Sequence, residues 1–122
     1  MSLSTKKRIK RPEEFHYVFE FGRRYSSRFV NVIVSRNEFG YSRLGLAVGK
    51  RVGNAVTRNL VKRRLRNVFS LMDTISGWDV VIVAKYGCSD ASFTKLTLVI
   101  RKLLLRAGVS MHSPRSYGNG SL

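Results

Sequence analysis

The residues best suited to chemistry lie in one run, Gly49-Lys50-Arg51-Val52-Gly53-Asn54-Ala55-Val56-Thr57-Arg58-Asn59-Leu60-Val61-Lys62-Arg63-Arg64-Leu65-Arg66. At about 100° per residue, Arg58, Asn59, Lys62, Arg63 and Arg66 fall within an arc of roughly 140° on a helix, with Arg64 apart and the apolar residues opposite. Like charges four residues apart, as in Arg58–Lys62–Arg66, destabilise an isolated helix by about 0.2–0.5 kcal/mol each. A merely solvated face therefore mixes signs, yet no acid stands between Glu38 and Asp73. Such a face has the chemistry of a phosphate-binding surface. Asn59 is a neutral amide among cations. It suits a base edge, a 2′-hydroxyl or a hydrated metal on RNA, although a surface Asn needs no such explanation. Gly49 and Gly53 flank Lys50-Arg51, so the backbone either turns close to a ligand there or simply ends a strand.

A second group is aromatic. Phe15, Val18 and Phe19 share one face of a short helix, and Tyr17 and Phe21 lie on another. Rings on two faces are either sandwiched in a core or offered to unpaired bases, which stack on them. Residues for protein-borne catalysis are sparse. The seven acids are scattered in no pattern that holds two metals for phosphodiester cleavage. His16 and His112 are the only histidines, and neither has a nucleophile partner in sequence. The chain reads as a binder.

The elements that must position these groups follow from pattern. Residues 1–11 read as a flexible cationic arm, including Lys6-Lys7-Arg8-Ile9-Lys10-Arg11. Pro12, Glu13 and Glu14 suit a helix start and Gly22 its end. Tyr25 to Ser35 is rich in β-branched residues and predicts one strand. Arg43 to Gly49 alternates Leu44, Leu46 and Val48 against small residues, predicting a second. A long helix over about Asn54 to Met72 carries Val61, Leu65, Val68 and Met72 on one face. Trp78 to Lys85, apolar without alternation, predicts a strand covered on both sides. Ser89 or Asp90 is placed to cap a last helix with Phe93, Leu96, Ile100, Leu103 and Ala107 as its stripe, and Gly108 to stop it. Residues from Ser110 to Leu122 are polar and Gly/Ser-rich and read as a disordered tail. The order helix, strand, strand, helix, strand, helix predicts a single α+β domain over 12–108, an α/β sandwich with room for an extra short strand. Its strand–long helix–strand unit predicts a parallel pair.

Charge narrows the function class. Twenty-three Lys and Arg face seven Asp and Glu in 122 residues, a net +16. That excess costs self-repulsion unless a polyanion offsets it. Nucleic acid fits better than a membrane, since the sequence has no long apolar run and no signal-peptide pattern. A single cysteine, Cys88, excludes an internal disulfide and a Cys-based zinc site. It reads as a small, partly buried residue after a strand, and the cytoplasm is the expected compartment.

The stretch from Lys50 to Arg66 resembles the signature of the bacterial ribonuclease P protein family, a turn K-[KR]-x-G-x-A followed by R-N-R-x-x-K-R. Lys50, Arg51, Gly53, Ala55, Arg58, Asn59, Lys62 and Arg63 match it. The resemblance extends beyond this motif, over about residues 8–107, to Phe15, Val18, Phe19 and Gly22, to Arg43-Leu44-Gly45-Leu46, and to Trp78-Asp79-Val80-Val81-Ile82-Val83-Ala84-Lys85. Leu60 departs from it, standing where the family carries its second arginine. The resemblance implies a left-handed crossover around the long helix, against a roughly 98% right-handed base rate. It implies a catalytic RNA partner that removes the 5′ leader of precursor tRNA with RNA-bound magnesium. It implies that Lys50, Arg51, Arg58, Lys62, Arg63 and Arg66 contact RNA phosphates, that Asn59 bonds RNA or metal-bound water, and that Phe15 and Phe19 line a cleft for single-stranded leader. A ribosomal protein is the main alternative on composition, and a DNA-binding module the next.

Overall fold

The computed structural model describes residues 7–110. Helix α1 spans Pro12–Phe21, and strands β1, β2 and β3 span Arg23–Ser26, Val30–Arg36 and Arg43–Ala47. A 3-10 turn over Lys50–Val52 leads into α2, Ala55–Ser70. Strand β4 (Trp78–Ala84), a 3-10 turn (Cys88–Asp90) and α3 (Phe93–Ala107) complete the fold. The strands form one sheet in the order β1-β2-β4-β3. Among the named strands, β3 and β4 pair in parallel, as the strand–helix–strand unit predicts, and the other pairs are antiparallel.

Alternation along the strands separates two layers. Val32, Val34, Leu44, Val80 and Ile82 face the main core with Val61, Leu65 and Val68 of α2 and Leu96, Ile100, Leu103 and Leu104 of α3. Ile33 and Val81 face the other way and pack with Val18 of α1 and with Ile9. Central β4 is thus covered on both sides, which is why its run does not alternate. Backbone stereochemistry fixes the hand of the β3–α2–β4 unit. Leu44 turns its side chain to α2, while its carbonyl accepts from Ile9 N on the edge away from β4. For an L-residue this places β4 to the left of β3 when viewed from α2 with β3 running upward. The crossover is left-handed, as the resemblance implies and against the usual preference.

Several expectations need adjustment. The single strand over Tyr25–Ser35 is a hairpin: Ser27 N donates to Val30 O at 3.0 Å, and Ser27 Oγ to the same oxygen at 2.6 Å. The serine hydroxyl makes this turn without Gly, Pro or Asn at its corner. The cap of α3 is Ser92, whose Oγ accepts from Lys95 N at 3.0 Å, because Ser89 and Asp90 are taken up in the preceding 3-10 turn. The arm is anchored from Arg8 onward. Ile9 is buried, its N–H bonds to Leu44 O at 2.9 Å, and Arg8 bridges to Leu44. At the other end Val109 is fully buried and accepts from Ile75 N, so the domain runs past Gly108. The tail expectation otherwise lies outside the described residues, as does Lys6.

The polar groups of the core are concentrated in one ion cluster. Arg43, nearly buried, bonds Asp79 through Nε and Nη2 at 2.9 and 2.8 Å and Glu14 through Nη1 at 3.1 Å. It ties the start of α1 to β3 and β4.

Candidate nucleic-acid interface

The turn before α2 is set by Gly53. Its φ is +156°, and a Cβ there would lie 2.8 Å from Thr57 Cγ2. Gly49 differs: a Cβ would meet nothing within 4 Å, and its φ is −88°. Of the two explanations left open for these glycines, Gly53 is conformationally required and Gly49 merely ends a strand. Asn54 then caps α2, its Oδ1 accepting from Thr57 N at 2.9 Å. Lys50 and Arg51 are left exposed on the turn.

The helical wheel correctly places the apolar face, since Val61, Leu65, Val68 and Phe69 are buried. Opposite it, Asn59 and Arg63 are exposed, and Arg58, Lys62 and Arg66 are half-buried. Arg58 is less free than the pattern implies, because its Nη1 donates to Gly53 O at 3.0 Å and straps the helix to the turn. Arg64, set apart by the wheel, donates to Ser89 O at 3.0 Å and serves the fold. Among the described residues, ion pairs form only at Arg43 and His16, so no α2 cation is neutralised by a carboxylate. Leu60 is 40% exposed at the margin of this face. It leaves an apolar spot where the family has a charge.

The two groups of residues meet. A cleft of about 190 Å³ is lined by Lys62 and Arg66 of α2, Phe15 of α1, Leu44 and Leu46 of β3, and Arg8, Ile9 and Lys10 of the arm. Phe15 reaches it because Gly45 has no side chain: a Cβ there would lie 2.8 Å from the ring. Phe19 stacks beside Phe15 with centroids 6.5 Å apart and remains 39% exposed. Phe15 is thus partly core and partly wall, and Phe19 mainly wall. Burial, and then the charge of Arg8, lower the pKa of Arg66. Arg8 Nε is itself buried with no hydrogen-bond partner. An apolar floor ringed by unneutralised cations suits a polyanion that also carries flat rings, as single-stranded nucleic acid does.

Pattern reasoning missed Arg8 and Lys10 as cleft residues. The available signal was Ile9, a lone apolar residue that draws its cationic neighbours onto the sheet edge. The sequence also did not reveal Arg43, whose partners lie 29 and 36 residues away. Of the acids, Glu14 and Asp79 are committed to it. His16 pairs with Glu20 on the surface at 3.2 Å. Among the described residues, no three His, Cys, Asp or Glu side chains come together as a metal site.

The profile of the family described as ribonuclease P matches residues 3–108. The chain is 30% identical to the ribonuclease P protein component of Clostridioides difficile, over 91% of this chain and all of that one. It is 36% identical to that of Bacillus cereus, over 88% of this chain and 96% of that one. The structure of Staphylococcus aureus RNase P protein superposes with a TM-score of 0.77 at 28% identity, covering 84% of this chain and 96% of that one. The chain belongs to the ribonuclease P protein family, the protein subunits of the holoenzyme that matures tRNA 5′ ends.

Proposed function

We propose that the cleft beside α1 holds the single-stranded 5′ leader of precursor tRNA, while the exposed face of α2 holds the catalytic RNA and Lys50 and Arg51 contact RNA phosphates. One observation carries this reading: Phe15 shares a cleft with Lys62 and Arg66. Rings and phosphate-binding cations are thereby presented to the same strand. Arg58 and Arg63 continue the phosphate-binding surface, and Asn59, exposed between them, bonds the RNA or a water on an RNA-bound ion. Magnesium belongs to the RNA here. The cationic cleft does not fit a divalent ion, and no carboxylate lines it. The compartment that fits this work is the cytoplasm, and no described helix is long and apolar enough to cross a membrane.

The test is a pair of binding curves on the reconstituted holoenzyme. Phe19→Ala should weaken precursor tRNA by roughly fivefold to a hundredfold and leave mature tRNA nearly unchanged. Phe15→Ala should do the same and should also lower the melting temperature, because its ring fills the space above Gly45. Folded variants that bind both tRNAs as the parent does would remove these rings from the leader site.

A further inference from the structure

A second cleft lies at the C-terminal ends of the parallel strands. It is a cleft of about 650 Å³ whose lining includes Ala47, Gly49, Arg51, Val83, Lys85 and Tyr86. Its floor is apolar and its rim cationic, with no acid among the lining residues. Tyr86 stands at this rim with 84% of its surface exposed, the most exposed large ring of the fold. The backbone holds it there. Cys88 N donates to Lys85 O at 2.9 Å, and Gly87 follows Tyr86 with φ +92° and ψ −9°. These angles make Tyr86 the first corner of a type II turn, whose second corner needs glycine. The turn is anchored below by fully buried Cys88 and at its side by Lys85 Nζ, which donates to Ser27 O at 2.7 Å.

Register connects this cleft to the aromatic face of α1. Ala47, Val83 and Asn31 are cross-strand partners in one row on β3, β4 and β2. Their neighbours Leu46, Ile82 and Val32 belong to the α2 layer, so the row faces the α1 side. Asn31 is its only polar member. Its Oδ1 is buried without a hydrogen-bond partner, an arrangement that native folds rarely leave unused. On this face the row Gly45, Val81 and Ile33, which packs under Phe15, is followed by Ala47, Val83 and Asn31, and the cleft at Tyr86 opens at Ala47 and Val83.

We propose that Tyr86 is a second stacking platform for an unpaired nucleotide of the same RNA strand, with Arg51 and Lys85 supplying charge for its phosphates. A nucleotide is favoured over an apolar peptide because the site joins a bare ring to cations in a chain of net +16. The proposal rests on the leader reading above and extends it: the strand passes Phe15 and Phe19 first and Tyr86 farther along.

The test combines substitution with leader length in the reconstituted holoenzyme. Tyr86→Ala should weaken precursor tRNA with a long leader by roughly fivefold to a hundredfold, the range of one lost base stack. The loss should vanish for a leader too short to pass the α1 rings and for mature tRNA, and Tyr86→Phe should restore binding. Equal losses at every length, mature tRNA included, would overturn the proposal and assign Tyr86 to the catalytic RNA. No loss at any length would overturn it as well. Phe19→Ala, measured alongside, separates the two readings. If Phe19→Ala discriminates precursor from mature tRNA and Tyr86→Ala shows no length dependence, only the platform falls. If neither variant discriminates, the leader cleft falls with it.

Discussion

At the scale of single residues, side chains of one type serve different ends, and geometry decides which. Arg43, Arg64 and Arg66 are all partly or largely buried, yet only Arg43 has carboxylates to answer its charge. Its pKa is raised, chiefly through the Asp79 hydrogen bonds, whereas that of Arg66 is lowered by burial. Cys88 is a further case, read in the sequence as a small, partly buried residue and found fully buried. Burial pushes its thiol up to about 11, against a smaller opposing effect of Arg64. The folded protein thus keeps a proton that the unfolded chain releases near its ordinary value of about 8.5. A raised folded pKa gives stability that is fully present below the unfolded value and lost as pH climbs through the folded one. Unfolding free energy should therefore fall between about pH 8.5 and 11, and more steeply in the parent than in Cys88→Ala. Thiol reagents should label the native protein slowly at neutral pH. Rapid labelling without unfolding would show that Cys88 is accessible.

At the scale of elements, α2 is where sequence and structure agree best and also where their difference matters most. Its apolar and basic faces were legible because a helix at fixed pitch turns spacing directly into direction. What spacing does not encode is a contact with a neighbouring turn, so the Arg58–Gly53 strap was invisible and Arg58 read as freely exposed. The hairpin at Ser27 escaped for a related reason: a hydroxyl replaced the glycine or asparagine that marks most turns. The arm escaped because one buried isoleucine among cations carries no periodicity. The aromatic cleft was legible only as two alternatives, core or ligand, since the choice rests on Gly45 in a different element. The turn before α2 can be tested by its two glycines. Gly53→Ala should cost about 1–3 kcal/mol from its backbone conformation and its clash with Thr57, and should displace Lys50 and Arg51 enough to weaken RNA binding. Gly49→Ala, facing open space, should be nearly silent in both assays. Arg58→Ala should weaken RNA binding and cost about 1 kcal/mol of stability as well, since it removes a hydrogen bond to the turn. Equal melting curves for the two glycine variants would show that the turn does not depend on Gly53.

At the scale of the whole molecule, the charge that makes a good RNA partner makes a strained free protein. A net +16 on 122 residues opposes compaction, and Arg8, Lys10, Lys62 and Arg66 converge on one cleft without a counter-charge. Salt should therefore act with opposite signs on two measurements. Raising ionic strength shortens the Debye length from about 30 Å at 0.01 M to about 8 Å at 0.15 M and screens this repulsion, so the free protein should melt at a higher temperature. The same change should weaken RNA binding, because each phosphate contact releases fewer counterions' worth of free energy as salt rises. A substitution that removes one cleft charge should reproduce both effects at fixed salt. Arg66→Met keeps most of the buried aliphatic stem and removes a guanidinium whose charge is disfavoured by burial and by Arg8. It should raise the melting temperature of the free protein, lower its RNA affinity and flatten the log–log salt dependence by up to roughly 0.7–0.9. Stability and binding would then be shown to compete for the same side chain. A variant that loses stability and keeps its affinity would mean that Arg66 is held for the fold, and that the phosphates bind elsewhere on α2.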